Sequence, residues 1–127
     1  MVYIVESDKS FYEACVDLEE VILRLGFSLL HGYELAAALG DKDSAFDEEA
    51  KVYAIDSQRL TERLLAIDVR LSLALPCRIT VYTEDGVTRI GMIRPSIQFS
   101  ALSPDAGLVR LARELEEKMI QVVDEAR

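Results

Sequence analysis

The run Arg78-Ile79-Thr80-Val81-Tyr82-Thr83 alternates polar and apolar residues, passes through Glu84-Asp85-Gly86, and resumes in a second β-rich run from Val87 to Ile93. Strict alternation has the period of a strand with one buried face, and Glu84-Asp85-Gly86 supplies turn residues between the two runs. An antiparallel pair is therefore expected at 78–83 and 87–93. Its alternation places Ile79 and Val81 toward a core and Arg78, Thr80 and Tyr82 away from it. A sheet with one apolar face has to be covered on that face.

Two helical stripes are available as the cover. Phe11, Ala14, Leu18, Val21, Ile22 and Leu25 recur at helical spacing, and Glu13, Asp17, Glu19, Glu20 and Arg24 take the opposite face. Ser10 with Glu13 three residues on predicts a capping box, and Gly26 predicts the stop. Near 104–125 a second stripe holds Leu108, Leu111, Ala112, Leu115, Met119, Val122 and Val123, with Ser103 or Asp105 as cap and Pro104 in the first turn. Strands are expected at 2–6, 27–31 and 51–55, a short helix at 34–39 ending on Gly40, and a helix after Asp56 or Ser57 that carries Leu60, Leu64 and Leu65. Pro76 draws its predecessor into extended geometry, so 69–75 reads as an irregular approach to the hairpin, and 95–102 has no assigned conformation. The order predicts an α+β fold, a mainly antiparallel sheet with helices on one face in a β-α-β-rich two-layer sandwich. No linker or repeat divides it, and residues 1–127 read as one domain.

Charge and cysteine usage narrow the function classes. The 127 residues carry a net charge of −9, which repels phosphate backbones and anionic membrane surfaces. The arginines are scattered without aromatic interleaving, so neither nucleic acid nor membrane is an expected partner. No apolar run approaches the ~20 residues that span a bilayer, and the first ten residues lack the features of a secretory signal. With only Cys15 and Cys77, no disulfide framework is expected, and the chain reads as soluble and cytoplasmic. The polar stretch 41–49 reads as a mobile loop. As an EF-hand it fails, because Ala45 and Phe46 replace a ligand and the required glycine, and Val52 stands where the bidentate glutamate belongs.

The opening strand followed by SFYEACVDLEEVILRLGF, the segment LALPCRITVYTEDG and the charged C-terminal helix together resemble the bacterial and archaeal family called domain of unknown function 302. The likeness covers nearly the whole chain and rests mostly on Leu75-Pro76-Cys77 running into a strand and an acidic turn. It implies an antiparallel sheet covered by helices on one side, usually in a homodimer, and it implies no activity. Many relatives carry a Cys-Asn-Pro-like motif after the third strand, where this chain has Asp56-Ser57-Gln58. Thiol chemistry here would rest on Cys77 alone or with a non-thiol partner.

Cys77 is the first candidate for a reactive or ligand-contacting group, since the guanidinium of Arg78 beside it would favour a thiolate. Alternation opposes this by setting neighbours on opposite faces. His31, the lone histidine, is the second candidate as a ligand contact or a base for Cys77, and Cys15 reads as a small core residue. One histidine and two distant cysteines give no metal site, dispersed glycines give no nucleotide loop, and no cofactor is expected. The pairs Glu19-Glu20, Glu48-Glu49 and Glu116-Glu117 read as solvated faces. The leading reading is a homodimeric binding or interaction module for a small ligand or protein partner, and the alternative is sulfur handling or redox transfer centred on Cys77. Val109 and Ile120 widen the apolar surface of the last helix and favour the dimer, unless Ile97, Phe99 and Leu102 fold back over it.

Overall fold

A computed structural model describes residues 1–39 and 47–127 of the chain. The predicted hairpin is present as β4 (Cys77–Glu84) and β5 (Val87–Ile93), with Thr83 opposite Thr88. Asp85 at φ 52° and Gly86 at φ 81° both take left-handed geometry, as a two-residue turn matched to strand twist requires. Around this pair the sheet grows in both directions. β1 (Val2–Ser7) adds to β5, β3 (Ala50–Asp56) adds to β4, and β2 (Ser28–Glu34) adds to β3, giving the order β1-β5-β4-β3-β2 with every pair antiparallel. β2 is longer than expected, with a register irregularity between Leu29 and His31.

The helices start and stop where local chemistry directs. In α1 (Phe11–Arg24), Ser10 Oγ accepts the Glu13 N–H at 3.1 Å, whereas the Glu13 carboxylate bonds the Ser10 hydroxyl rather than its backbone N–H, so only half of the box forms. Gly26 follows at φ 92°. Ser57 precedes α3 (Gln58–Ile67) without a side-chain cap bond. The ambiguous 69–75 stretch is mostly a 3₁₀ helix, Val69–Ala74, capped by Asp68, and Leu75 is extended before Pro76. α5 (Ala106–Ala126) is capped by Asp105, which accepts the Gly107 N–H at 2.8 Å. Pro104 thus lies before the cap rather than in the first turn, a correction to the expected boundary. The short α2 (Leu35–Leu39) matches expectation, while Gly40 and most of the acidic stretch 41–49 lie outside the described residues.

The core lies between one face of the sheet and the helices. Tyr53, Ile55, Ile79, Val81 and Ile90 meet Leu18 and Ile22 of α1, Leu60 and Leu64 of α3, and Leu108, Met119 and Val122 of α5. The unassigned 95–102 segment forms α4 (Pro95–Ser100), packed on α5 with Phe99 fully buried and Leu102 partly so. Glu116 fastens it, accepting from Ser96 Oγ at 2.6 Å and from the Ser96 N–H at 3.2 Å. The widened apolar surface of α5 is therefore largely covered within the chain. Ile120 packs at the core margin, and Val109 remains half exposed. The argument for a dimer from this helix does not hold. No helix among the described residues is long and apolar enough to cross a membrane.

Candidate functional site

The face of the sheet opposite the core carries every second residue of each strand, and cross-strand pairing assembles them into rows. Ile4 of β1 faces Gly91 of β5, Gly91 faces Thr80 of β4, and Thr80 faces Val52 of β3. Val2 and Ile93 form the neighbouring pair. At Gly91 a Cβ would come within 2.9 Å of Ile4 Cγ1, so the glycine lets Ile4 lie across the floor. Along β4, Arg78, Thr80 and Tyr82 make a polar file between these apolar flanks.

A wall rises at one end of that floor. The 3₁₀ helix turns Leu71 into the core and leaves Leu73 exposed, and the chain then runs through Ala74, Leu75 and Pro76 into β4. Floor and wall enclose an open cavity of about 530 Å³, closed at one corner by Gln98 of α4. This volume lies within the ~300–1,000 Å³ range of small-molecule sites. Among the described residues, Arg78 is the one charged side chain in the lining. It forms no ion pair among the described residues, and neither do Arg63, Arg110, Arg113 and Arg127, whereas Arg24, Arg59, Arg70, Arg89 and Arg94 each do.

Cys77 lies at the margin of the cavity, but its side chain belongs to the core face, opposite Ile55, and is 7% exposed. Burial pushes its thiol up to about 12, the Asp56 carboxylate adds to the shift, and Arg78 only partly opposes it. Burial of this kind disfavours the thiolate, which is the form that acts as nucleophile and metal ligand. His31 is exposed on the open face opposite Ala54, which in turn faces Arg78. Two inter-strand steps of about 4.8 Å separate the His31 and Arg78 backbones, and Cys77 points to the other side of the sheet. The structure thus gathers Cys77 and Arg78 at one corner and leaves His31 outside the lining, stacked on Tyr33 at 5.6 Å between ring centroids. It forms no Cys77–His31 pair.

Cys15 is buried in the core, next to a polar cluster unforeseen in the sequence. The Tyr53 hydroxyl donates to Glu19 Oε2 at 2.8 Å, and Lys51 Nζ lies 5.2 Å from the centroid of the same ring. Burial first, then the Glu19 bond, raises the phenol well above its usual range. Glu48 likewise accepts from the Asp85 N–H at 2.7 Å and from Thr83 Oγ. In each acidic pair read as solvated, the first member (Glu19, Glu48 or Glu116) holds a structural hydrogen bond. Among the described residues no cluster of three His, Cys, Asp or Glu side chains could hold a metal ion.

Sequence reasoning placed Arg78, Thr80 and Tyr82 away from the core but missed Val2, Ile4, Ile93 and the Leu73–Pro76 wall. The hydrophobic alternation of 2–6 held part of that signal, since Val2 and Ile4 share a face that the buried side of the strand does not use.

The comparisons with known proteins agree with this architecture. A family model described as domain of unknown function DUF302 matches residues 3–126. The crystal structure of an uncharacterized conserved protein DUF302 from Bacillus stearothermophilus is similar over 99% of this chain and 98% of its own, with a TM-score of 0.93 and 25% sequence identity. Among curated proteins nothing matches.

Proposed function

The chain belongs to the DUF302 family, whose name assigns no reaction, and on that premise we propose that it is a non-catalytic binding module that works as a homodimer through the uncovered face of its sheet. The observation that carries this reading is the concentration of exposed apolar side chains there. Val2 is 52% exposed, Ile4 46%, Ile93 42% and Tyr33 42%, and the first three adjoin across β1 and β5. A contiguous patch of this kind marks an interaction site, and a two-fold contact is the commonest way for a small protein to cover one. In such a dimer the cavity becomes an inter-subunit cleft for a small ligand. The reading places the module in the reducing cytoplasm, where its two cysteines stay free.

Sedimentation equilibrium at micromolar concentration tests the dimer. The expected mass is twice 14.2 kDa, falling to 14.2 kDa when Ile4→Glu sets a charge in the centre of the patch. Ile4 is half exposed, so a folded monomeric variant is expected, with circular dichroism as the check. A wild type that sediments as a monomer overturns the homodimer.

A further inference from the structure

From the lining of this cavity we infer a binding site for a small monoanionic amphiphile, a carboxylate with an apolar body, anchored by the guanidinium of Arg78. The inference rests on the binding-module reading and adds the ligand class. Three observations carry it. First, Arg78 is the sole charge among the described residues of a cavity whose apolar floor is Val2, Ile4, Val52 and Ile93. Second, it has no carboxylate partner within ion-pair distance among the described residues; Arg63, Arg110, Arg113 and Arg127 have none there either, but of these five only Arg78 lines the cavity. Asp56, near the end of the adjacent strand, accepts the Thr61 hydroxyl and forms no ion pair with Arg78. Third, Thr80 and Tyr82 continue the file from Arg78 along β4 and bring hydroxyl donors within the same floor.

Charge complementarity selects the ligand class. A planar guanidinium binds a carboxylate through two parallel N–H···O bonds, and such charge-assisted bonds are about twice as strong as neutral ones. One cation matches one negative charge, and a net charge of −9 on the chain opposes polyanions such as nucleotides. The apolar flanks accept a hydrocarbon body, which inorganic anions lack.

Titration calorimetry of the full chain with octanoate, octan-1-ol, octylammonium and inorganic phosphate tests the inference. Octanoate is expected to bind about tenfold or more tighter than octan-1-ol, the usual margin for hydrogen bonds to a charged group. Arg78 is exposed, so its variants are expected to keep the fold. Arg78→Met should reduce octanoate to the affinity of the alcohol and leave the alcohol unchanged, and Arg78→Glu should make octylammonium the preferred ligand. Equal binding of octanoate and octan-1-ol by the wild type overturns the anchor, as does an Arg78→Met variant that keeps the octanoate preference. Phosphate binding as tightly as octanoate overturns the apolar body. A dimer by sedimentation that binds none of the four sinks this ligand class and leaves the homodimer standing, whereas a monomer that binds octanoate through Arg78 does the reverse.

Discussion

Alkylation of Cys77 by iodoacetamide discriminates a buried thiol from an activated one, and the burial of Cys77 sets the order of magnitude to expect. The thiol rises from an ordinary 9.0 to about 12, so at any pH below 9 its thiolate fraction falls by about three decades. Part of this is returned, because a more basic thiolate is more nucleophilic; with a Brønsted coefficient of about 0.4–0.5, three units give back roughly 20-fold. The net expectation is a rate roughly 50-fold below that of an unstructured thiol at pH 8, before the further loss that 7% exposure imposes. The assay uses a Cys15→Ala background so that only Cys77 reports, with the same chain in denaturant as reference and a pH series from 6 to 10. The native rate should climb throughout that range without a plateau. A midpoint at or below about 8.5, or equal native and denatured rates, would refute the burial argument and restore a Cys77-centred chemistry.

Replacing Leu18 or Leu115 by alanine should cost about 2–5 kcal/mol in urea denaturation, since both side chains are buried between helix and sheet; a loss under about 0.5 kcal/mol would mean that the stripes face solvent. The Tyr53 phenol titrates higher in the folded chain than in the unfolded one, so its stabilisation is complete below about pH 10 and is lost as pH rises further. Urea midpoints from pH 8 to 11 should therefore fall less steeply for Tyr53→Phe than for wild type, and parallel curves would contradict the shift. Gly86→Ala places a Cβ at φ 81° and should lower stability by about 1–2 kcal/mol by thermal melting, whereas an unchanged midpoint would show that the turn relaxes without strain.

Legibility followed the range of the interactions. The faces of Ile79, Val81, Arg78 and Thr80, the Ser10 cap and the Gly26 stop are set by neighbours a few residues away, and periodicity or spacing reports them. Pairings across the sheet are set by residues far apart in sequence, and no local pattern states that Ile4 meets Gly91. The cavity is a product of such pairings, so three of its β4 residues were legible and its apolar floor was not. The bulge between Leu29 and His31 illustrates the same limit: a shift of one residue reassigns faces, and only the register places His31 on the open face. Phe99 is readable as apolar, but its burial depends on α4 returning to α5, which the Glu116 bonds to Ser96 secure over a 20-residue separation.

The pairing of β1 with β5 also sets an order of assembly. Three other strands and most of the helices separate Val2 from its partner Ile93 along the chain. Contacts so distant in sequence carry a large loop-closure cost, whereas β4 and β5 are separated only by a two-residue turn and β3 is joined to β4 through α3 and the 3₁₀ helix. The β4-β5 hairpin is thus expected to pair early and β1 to dock after it, carrying Val2 and Ile4 onto the floor of the cavity. Until then that floor does not exist, so pulse-labelled hydrogen exchange should show protection of β4 and β5 before β1, and ligand binding should appear only with the last phase.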